Sequence, residues 1–256
     1  MKFSKSIDEK LSRIKKILPS DDVITFEFEV QKRGAAVVYV DSITDKETLA
    51  ENVIRPLSHF NGEFNVKSLS SAVELAATQA CESEGELCSA VLDGKPCLLF
   101  DGLSGFFSVD LKKFDFRAVA EPPLQTVIKG PREGFNESIK TNLSLIRRRI
   151  KSPRLIIKNT VVGRLSQTAV SVAYVETLAD GGLIDEVMKR LDEIDIDSVP
   201  DSSYIAKLMC QKKGVALQAG EHRRKAGRYR READGGQGCN TCGRLAHRAD
   251  RALPFD

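Results

Sequence analysis

Five short stretches carry residue types that could do chemistry. Cys239-x2-Cys242-x4-His247 repeats the opening of a zinc knuckle, in which thiolates and an imidazole close round one ion. A fourth ligand is due at position 252, where the chain has Ala252. Asp192-Glu193-Ile194-Asp195-Ile196-Asp197 has the acid density of a calcium loop. Counted from Asp195, however, the places that need Gly and Glu hold Pro200 and Ala206, so a helix end with a loop is the better reading. Gly130-Pro131-Arg132-Glu133-Gly134 precedes a helical stretch, and helix N-termini attract anions. There is no GxxxxGK[ST] run, so this segment reads as a tight turn carrying an Arg. His59, in PLSHFNG, is the one imidazole before the tail, and a catalytic triad needs its His beside a nucleophile that nothing here supplies. Arg147-Arg148-Arg149 closes a helical stretch, where cations suit the helix dipole. Three in a row also fan round the helix and offer themselves to an acidic partner surface. Cys81 and Cys88 have no matching His or second Cys pair. No metal, cofactor or catalytic residue is therefore expected, and binding or scaffolding is the expected role.

The elements that would position these residues fall into two groups. Ile7, Leu11, Ile14 and Leu18 recur at helical spacing up to Pro19. Val23–Val30 and Gly34–Val40 read as strands, and Asp45–Leu57 as a helix through Leu49, Val53 and Leu57. His59–Asn65 is a loop, and Leu69–Cys88 is a strand or connector and then a helix. Ala90–Leu92 and Pro96–Phe100 flank Asp93-Gly94 and read as a hairpin, followed by a turn at Asp101-Gly102 and a strand over Gly105–Val109. Glu121-Pro122-Pro123 is extended and marks a boundary. Beyond it come a strand over Gln125–Ile128 and a helix over Asn136–Ile150, capped by Asn136, with Ile139, Leu143, Ile146 and Ile150 on one face. Strands over Leu155–Lys158 and Thr168–Val175 and helices over Leu183–Leu191 and Asp201–Leu208 complete the second group. The fold class expected is α/β (α+β), with two small mixed sheet-and-helix subdomains at 1–120 and 121–209.

Composition supports a folded body and sets the tail apart. The chain is 41% hydrophobic and 29% charged, an ordinary globular balance. Residues 1–209 carry a net charge of −3, which gives no electrostatic reason to expect nucleic acid. Residues 210–256 carry +6, with seven Gly, no Ile, no Ser and one Val. That segment is too poor in apolar surface to offset its ordering entropy and reads as a disordered basic tail. The abrupt change in composition also fits a frameshift in the coding DNA. No apolar run reaches the length of a signal peptide or a membrane span, so a cytoplasmic, soluble chain with reduced cysteines is expected.

Several segments together resemble the A subunits of GerA-family spore germination receptors. Glu121-Pro122-Pro123 is followed by VIKGPREGFNESIKTNLSLIRRRIKSPRL (127–155), which has the GPREGF turn, Asn142 within TNLSLIRRRI and the K-S-P break. VGRLSQTAVSVAYVETLADGGLIDEVMKRLDEIDIDSVPDSSYIAKL (162–208) is similar in order and style, and VVYVDSITDK (37–46), NVIRPL (52–57) and VLDGKPCLLFDG (91–102) agree more loosely. The resemblance spans about residues 20–209. It implies the soluble N-terminal module of a subunit that sits in the spore inner membrane, with the module facing the core. It also implies partnership with B and C subunits and with other A subunits, in sensing small nutrients and triggering germination. Assembly and signal coupling would be this module's task, and Gly130, Pro131, Arg132, Glu133, Gly134, Phe135, Asn142, Arg147 and Arg149 its interface residues. The family's TERPD-like motif and membrane helices have no counterpart after Leu208, so membrane association would come through a domain missing from this chain. The alternative readings are a soluble small-ligand-binding module and a nucleic-acid binder acting through the basic tail.

Overall fold

A computed structural model describes residues 5–73, 78–113 and 134–211. Among them, 5–73, 78–113 and 140–158 form one compact unit, and 134–139 with 159–211 form a second.

The first unit is built on a hairpin. β1 (Val23–Val30) and β2 (Arg33–Val40) pair antiparallel from Val23↔Val40 to Val30↔Arg33. Gln31 and Lys32 make the turn, both with positive φ (52° and 62°), as a two-residue turn that follows the strand twist requires. β3 (Thr78–Cys81), β4 (Cys97–Phe100) and β5 (Phe106–Val109) complete a five-stranded antiparallel sheet in the order β1-β2-β4-β5-β3.

Side chains alternate across these strands, and both faces are covered. Ala36, Val38 and Val40 of β2, with Cys97 and Leu99 of β4, face Leu11 and Ile14 of α1 (Ile7–Ile17) and Leu87 and Val91 of α5 (Glu84–Leu92). Ala35, Val37 and Tyr39, with Leu98 and Phe100, face the other way. There they meet Leu49, Val53 and Leu57, and Leu69 of α4 (Val66–Ser71). Leu49 to Leu57 lie on a helical stretch of three parts: α2 (Lys46–Leu49), a π turn over Ala50–Ile54 and α3 (Arg55–Ser58). The wide turn comes just before Pro56, whose ring removes one i→i−4 bond and crowds the turn before it.

Two expectations are corrected. Ala90–Leu92 is not a hairpin strand but the last turn of α5, and Asp93 caps its end. Ser83 and Glu86 form a reciprocal capping box that starts this helix, and Leu87, Val91 and Leu92 are its buried residues. The Asp93-Gly94 turn therefore joins a helix to β4, while the hairpin of this region is β4–β5. The second correction concerns α6 (Ile139–Arg149), whose buried residues are Thr141, Ser144, Leu145 and Arg147. Ile139 is exposed and Leu143, Ile146 and Ile150 are half-buried. A polar anchor, described below, sets the helix rotation in place of an apolar stripe.

β6 (Leu155–Val162) starts in the first unit, where Leu155, Ile156 and Ile157 are buried. Its bonds to residues 20 and 21 and the Arg147 anchor place 140–158 with the first unit, so a cut at 120/121 does not follow the contacts. β6 forms a two-stranded sheet with β7 (Thr168–Val175). In the second unit, α7 (Gly181–Asp192) and α8 (Ser202–Gln211) supply Leu191 and Ile205 to a small core with Val162 and Val199. Asp192 ends α7 and Asp195 and Asp197 pair with Arg164, so the acid run forms a helix end and a salt-bridged loop. The segment over Gln125–Ile128, the Glu121-Pro122-Pro123 boundary and the tail with its Cys239, Cys242 and His247 lie outside the described residues.

Candidate functional site

Of the residues expected to form an interface, Gly130, Pro131, Arg132 and Glu133 lie outside the described residues. Gly134 is buried and Phe135 is 56% exposed. Asn136 accepts a hydrogen bond from the Ser138 backbone N–H (2.9 Å), so it caps the approach to α6. On α6 itself Asn142 is half-buried, Arg148 half-buried and Arg149 exposed in the last turn.

Arg147 is not on the surface, contrary to its expected place on a partner-facing patch. It is 1% exposed. Its Nε donates to Asp22 Oδ2 and its Nη2 to Asp22 Oδ1, both at 2.7 Å, a two-pronged guanidinium–carboxylate pair. Nη2 also donates to Ser20 Oγ (2.8 Å). Ser20 Oγ donates in turn to Asp22 Oδ1 (2.6 Å) and accepts the Ile157 N–H (2.8 Å), so its one proton and two lone pairs are all used. The Asp21 N–H donates to the Ile157 carbonyl (2.8 Å). One node therefore joins the start of β1, the last turn of α6 and the start of β6. A buried charge is tolerated only when paired and hydrogen-bonded, and that requirement fixes the rotation of α6. Sequence reasoning missed Ser20 and Asp22, which stand 127 and 125 positions from Arg147. Their only signal was a Ser and an acid just ahead of a strand.

A second buried cation ties α1 to the sheet. Lys10 is fully buried, and its Nζ donates to the carbonyls of Phe100 (2.6 Å) and Leu103 (2.5 Å). Burial lowers its pKa, and Asp101 nearby opposes that shift.

Among the described residues, the groups best suited to nucleophilic chemistry are poorly poised for it. Burial pushes the Cys97 thiol well above its usual range and raises Cys81 and Cys88 as well, which favours the unreactive thiol. His59 lies exposed in the loop after α3, with Nδ1 2.9 Å from the Arg55 carbonyl. Among the described residues no group of three His, Cys, Asp or Glu side chains is placed to hold a metal. No described helix is long and apolar enough to cross a membrane.

Fold and site together define a helix-covered antiparallel sheet module organised round buried structural ion contacts. The pattern describing the Bacillus/Clostridium GerA spore germination protein matches residues 9–219, and the chain belongs to that family of germination receptor subunits. It is 31% identical over 215 residues to spore germination protein B1 of Bacillus subtilis (strain 168), covering 82% of this chain and 44% of that protein. It is also 31% identical over 215 residues to spore germination protein KA of the same organism, covering 81% of this chain and 40% of that one. The chain thus spans less than half the length of these relatives. Its fold matches the crystal structure of the N-terminal domain of the A subunit of the Bacillus megaterium spore germinant receptor GerK3. The TM-score is 0.61 at 25% identity, over 84% of this chain and 82% of that one.

Proposed function

We propose that this chain serves as the N-terminal module of a germinant receptor A subunit, in receptor assembly and in coupling a nutrient signal to a membrane component. Family membership and the likeness to the GerK3 A-subunit domain support the receptor context. The observation that carries the coupling role is the buried Arg147–Asp22 pair, which ties α6 to the start of β1. A one-turn shift of α6 would break both prongs of that pair and leave an unpaired buried charge, at a cost of about 3–5 kcal/mol. Smaller forces therefore move the first unit as a rigid body, which is what a mechanical coupler requires. In this reading its partners are the B and C subunits and further A subunits, and it works at the spore inner membrane, facing the core.

The surface that meets a partner is the last turn of α6, where Arg149 is exposed. Arg149→Glu in a complete A subunit carrying this domain tests it, with co-purification of B and C subunits and nutrient-triggered germination as readouts. Loss of both, with an unchanged melting curve of the isolated domain, supports the assembly surface. Unchanged assembly and germination removes it.

A further inference from the structure

Several features apart from the Arg147 node could bind something. The Cys81, Cys88 and Cys97 group sits in the core with its thiols raised. Asp93, ringed by Lys95, Lys112 and Lys151, is already saturated by its own ion pairs. Lys10 spends its ammonium on two carbonyls inside the fold. The outer edge of β1 is different, because its backbone and its charges are both left unmatched.

β1 ends the sheet order, and no described strand pairs with its outer side. Which backbone groups point there follows from the pairing with β2. The Asp41 N–H donates to the Asp22 carbonyl (2.9 Å), and hydrogen-bonded pairs alternate along an antiparallel ladder. Ile24, Phe26, Phe28 and Val30 therefore bond to β2, while Val23, Thr25, Glu27 and Glu29 turn their N–H and C=O outward. Ahead of the strand this side is taken, since the Asp21 N–H donates to the Ile157 carbonyl. From Val23 to Glu29 no described strand takes it. Proteins blunt such edges with Pro, Lys or a bulge. β1 reads VITFEFEV, keeps its register with β2 over all eight residues and has none of these.

The side chains indicate what covers this edge. Val23 packs against the core under α1, and Ile24 and Phe28 pack against the core of the opposite face. By alternation Thr25, Glu27 and Glu29 share the α1 side, and Phe26 lies on the other. Phe26 is 48% exposed and stacks on Phe28, with 6.4 Å between ring centroids and 20° between planes. On the α1 side a groove of about 390 Å³ lies between Ile14, Lys15 and Leu18 and the strand at Val23, Thr25 and Glu27. Lys15, Glu27 and Glu29 are exposed, and among the described residues none of the three has an ion-pair partner. The edge thus carries a base beside one end and acids at the other. That is the charge pattern of a surface complementary to itself about a two-fold axis.

We infer that β1 pairs antiparallel with β1 of a second copy of this chain, with Phe26 opposite Phe26. The outward-bonding residues then face one another, Thr25 with Glu27 and Val23 with Glu29. Phe26 meets Phe26 at a non-hydrogen-bonded position, where side chains approach most closely, and Phe28 meets Ile24. Glu29 of each copy arrives beside Lys15 of the other, and the same two lysines offset the diagonal approach of the two Glu27 side chains. Shifts of two residues keep the hydrogen-bond phase but set like charges opposite each other. One places Glu27 against Glu27, and the other places Glu29 against Asp21, whose N–H is already used. The pairing goes beyond the receptor reading and does not depend on it, because the isolated chain suffices to test it.

The test is sedimentation equilibrium of the 256-residue chain over micromolar to millimolar concentrations, with hydrogen exchange followed amide by amide. A reversible monomer–dimer equilibrium is expected, in which the Thr25 and Glu27 amides gain protection as the dimer forms. Thr25→Pro removes an outward N–H that β2 does not use, and should weaken association about tenfold or more. Lys15→Glu and Glu29→Lys should each weaken it about tenfold, because each dimer loses two ion pairs, and joining them in one chain should restore it. Both of these side chains are exposed, so the charge exchange stays decisive if Thr25→Pro does not fold. A chain that remains a monomer, an equilibrium untouched by these variants, or a double variant no better than its singles overturns the inference. Protection of Thr25 and Glu27 in a monomer would assign the edge to a segment of the same chain, and overturns it as well.

Discussion

Replacing Arg147 by Ala should unfold the first unit far more easily than its place in an apparently solvated Arg run suggests. The substitution removes the two 2.7 Å bonds to Asp22 and the 2.8 Å bond to Ser20 Oγ. Asp22, only 3% exposed, then keeps just the Ser20 hydroxyl at 2.6 Å. Leaving a buried charge without its partner costs about 3–5 kcal/mol, a large share of the roughly 5–15 kcal/mol that holds a domain together. With a urea slope of about 2 kcal/mol/M, the midpoint should fall by about 1.5–2.5 M. Arg147→Lys keeps the charge but loses the two-pronged geometry and should fall between wild type and Arg147→Ala. Joining Arg147→Met to Asp22→Leu removes both charges and should be less damaging than Arg147→Ala alone. Urea unfolding followed by circular dichroism reads these proteins together with the single variants Arg147→Met and Asp22→Leu. A midpoint shift under about 0.5 M for Arg147→Ala, or a double variant whose loss equals the sum of its singles, would refute the reasoning.

Other perturbations should follow the same physics. Gly94 has φ +81°, and a Cβ there would lie 3.3 Å from the Ile43 carbonyl oxygen, so Gly94→Ala should cost about 1–2 kcal/mol in urea unfolding. Ser83→Ala removes half of the capping box on α5 and should cost about 1 kcal/mol by the same assay. At Asp93, burial opposes the charge, but hydrogen bonds from Lys112 and Lys151 outweigh it and set the carboxyl below its ordinary 3.8. Its contribution to stability is therefore complete above that unfolded value and is lost as pH falls through the lower folded one. Asp93→Asn should flatten the acid side of a stability–pH curve relative to wild type, and an unchanged curve would remove this contribution.

Much of the first unit was legible because both strands of its hairpin alternate and both faces are covered. Residues such as Ala35 and Ala36, or Leu98 and Leu99, must serve opposite cores, so their runs read as strands. The turn between β1 and β2 was less legible, since Gln31 and Lys32 take left-handed φ values without the Gly or Asn that usually signals them. Ala90–Leu92 was misread because a short apolar run before Asp93-Gly94 imitates a hairpin arm. The discriminating signal, Ser83-x-x-Glu86, lay one helix length upstream. The face of α6 was misread because apolar periodicity ranks Ile139 above Arg147, whereas burial follows the paired charge. No local pattern could have joined Asp22 to Arg147.

The most direct test of the coupling role is a domain exchange. Residues 9–219 would replace the N-terminal domain of a complete germinant receptor A subunit, in spores lacking the native subunit. Nutrient-triggered germination would be measured alongside retention of the B and C subunits. The account predicts that germination and subunit retention are both restored, and that both fail when the exchanged domain carries Arg149→Glu. An exchanged subunit that accumulates and folds normally, yet retains no partners and supports no germination, would contradict it.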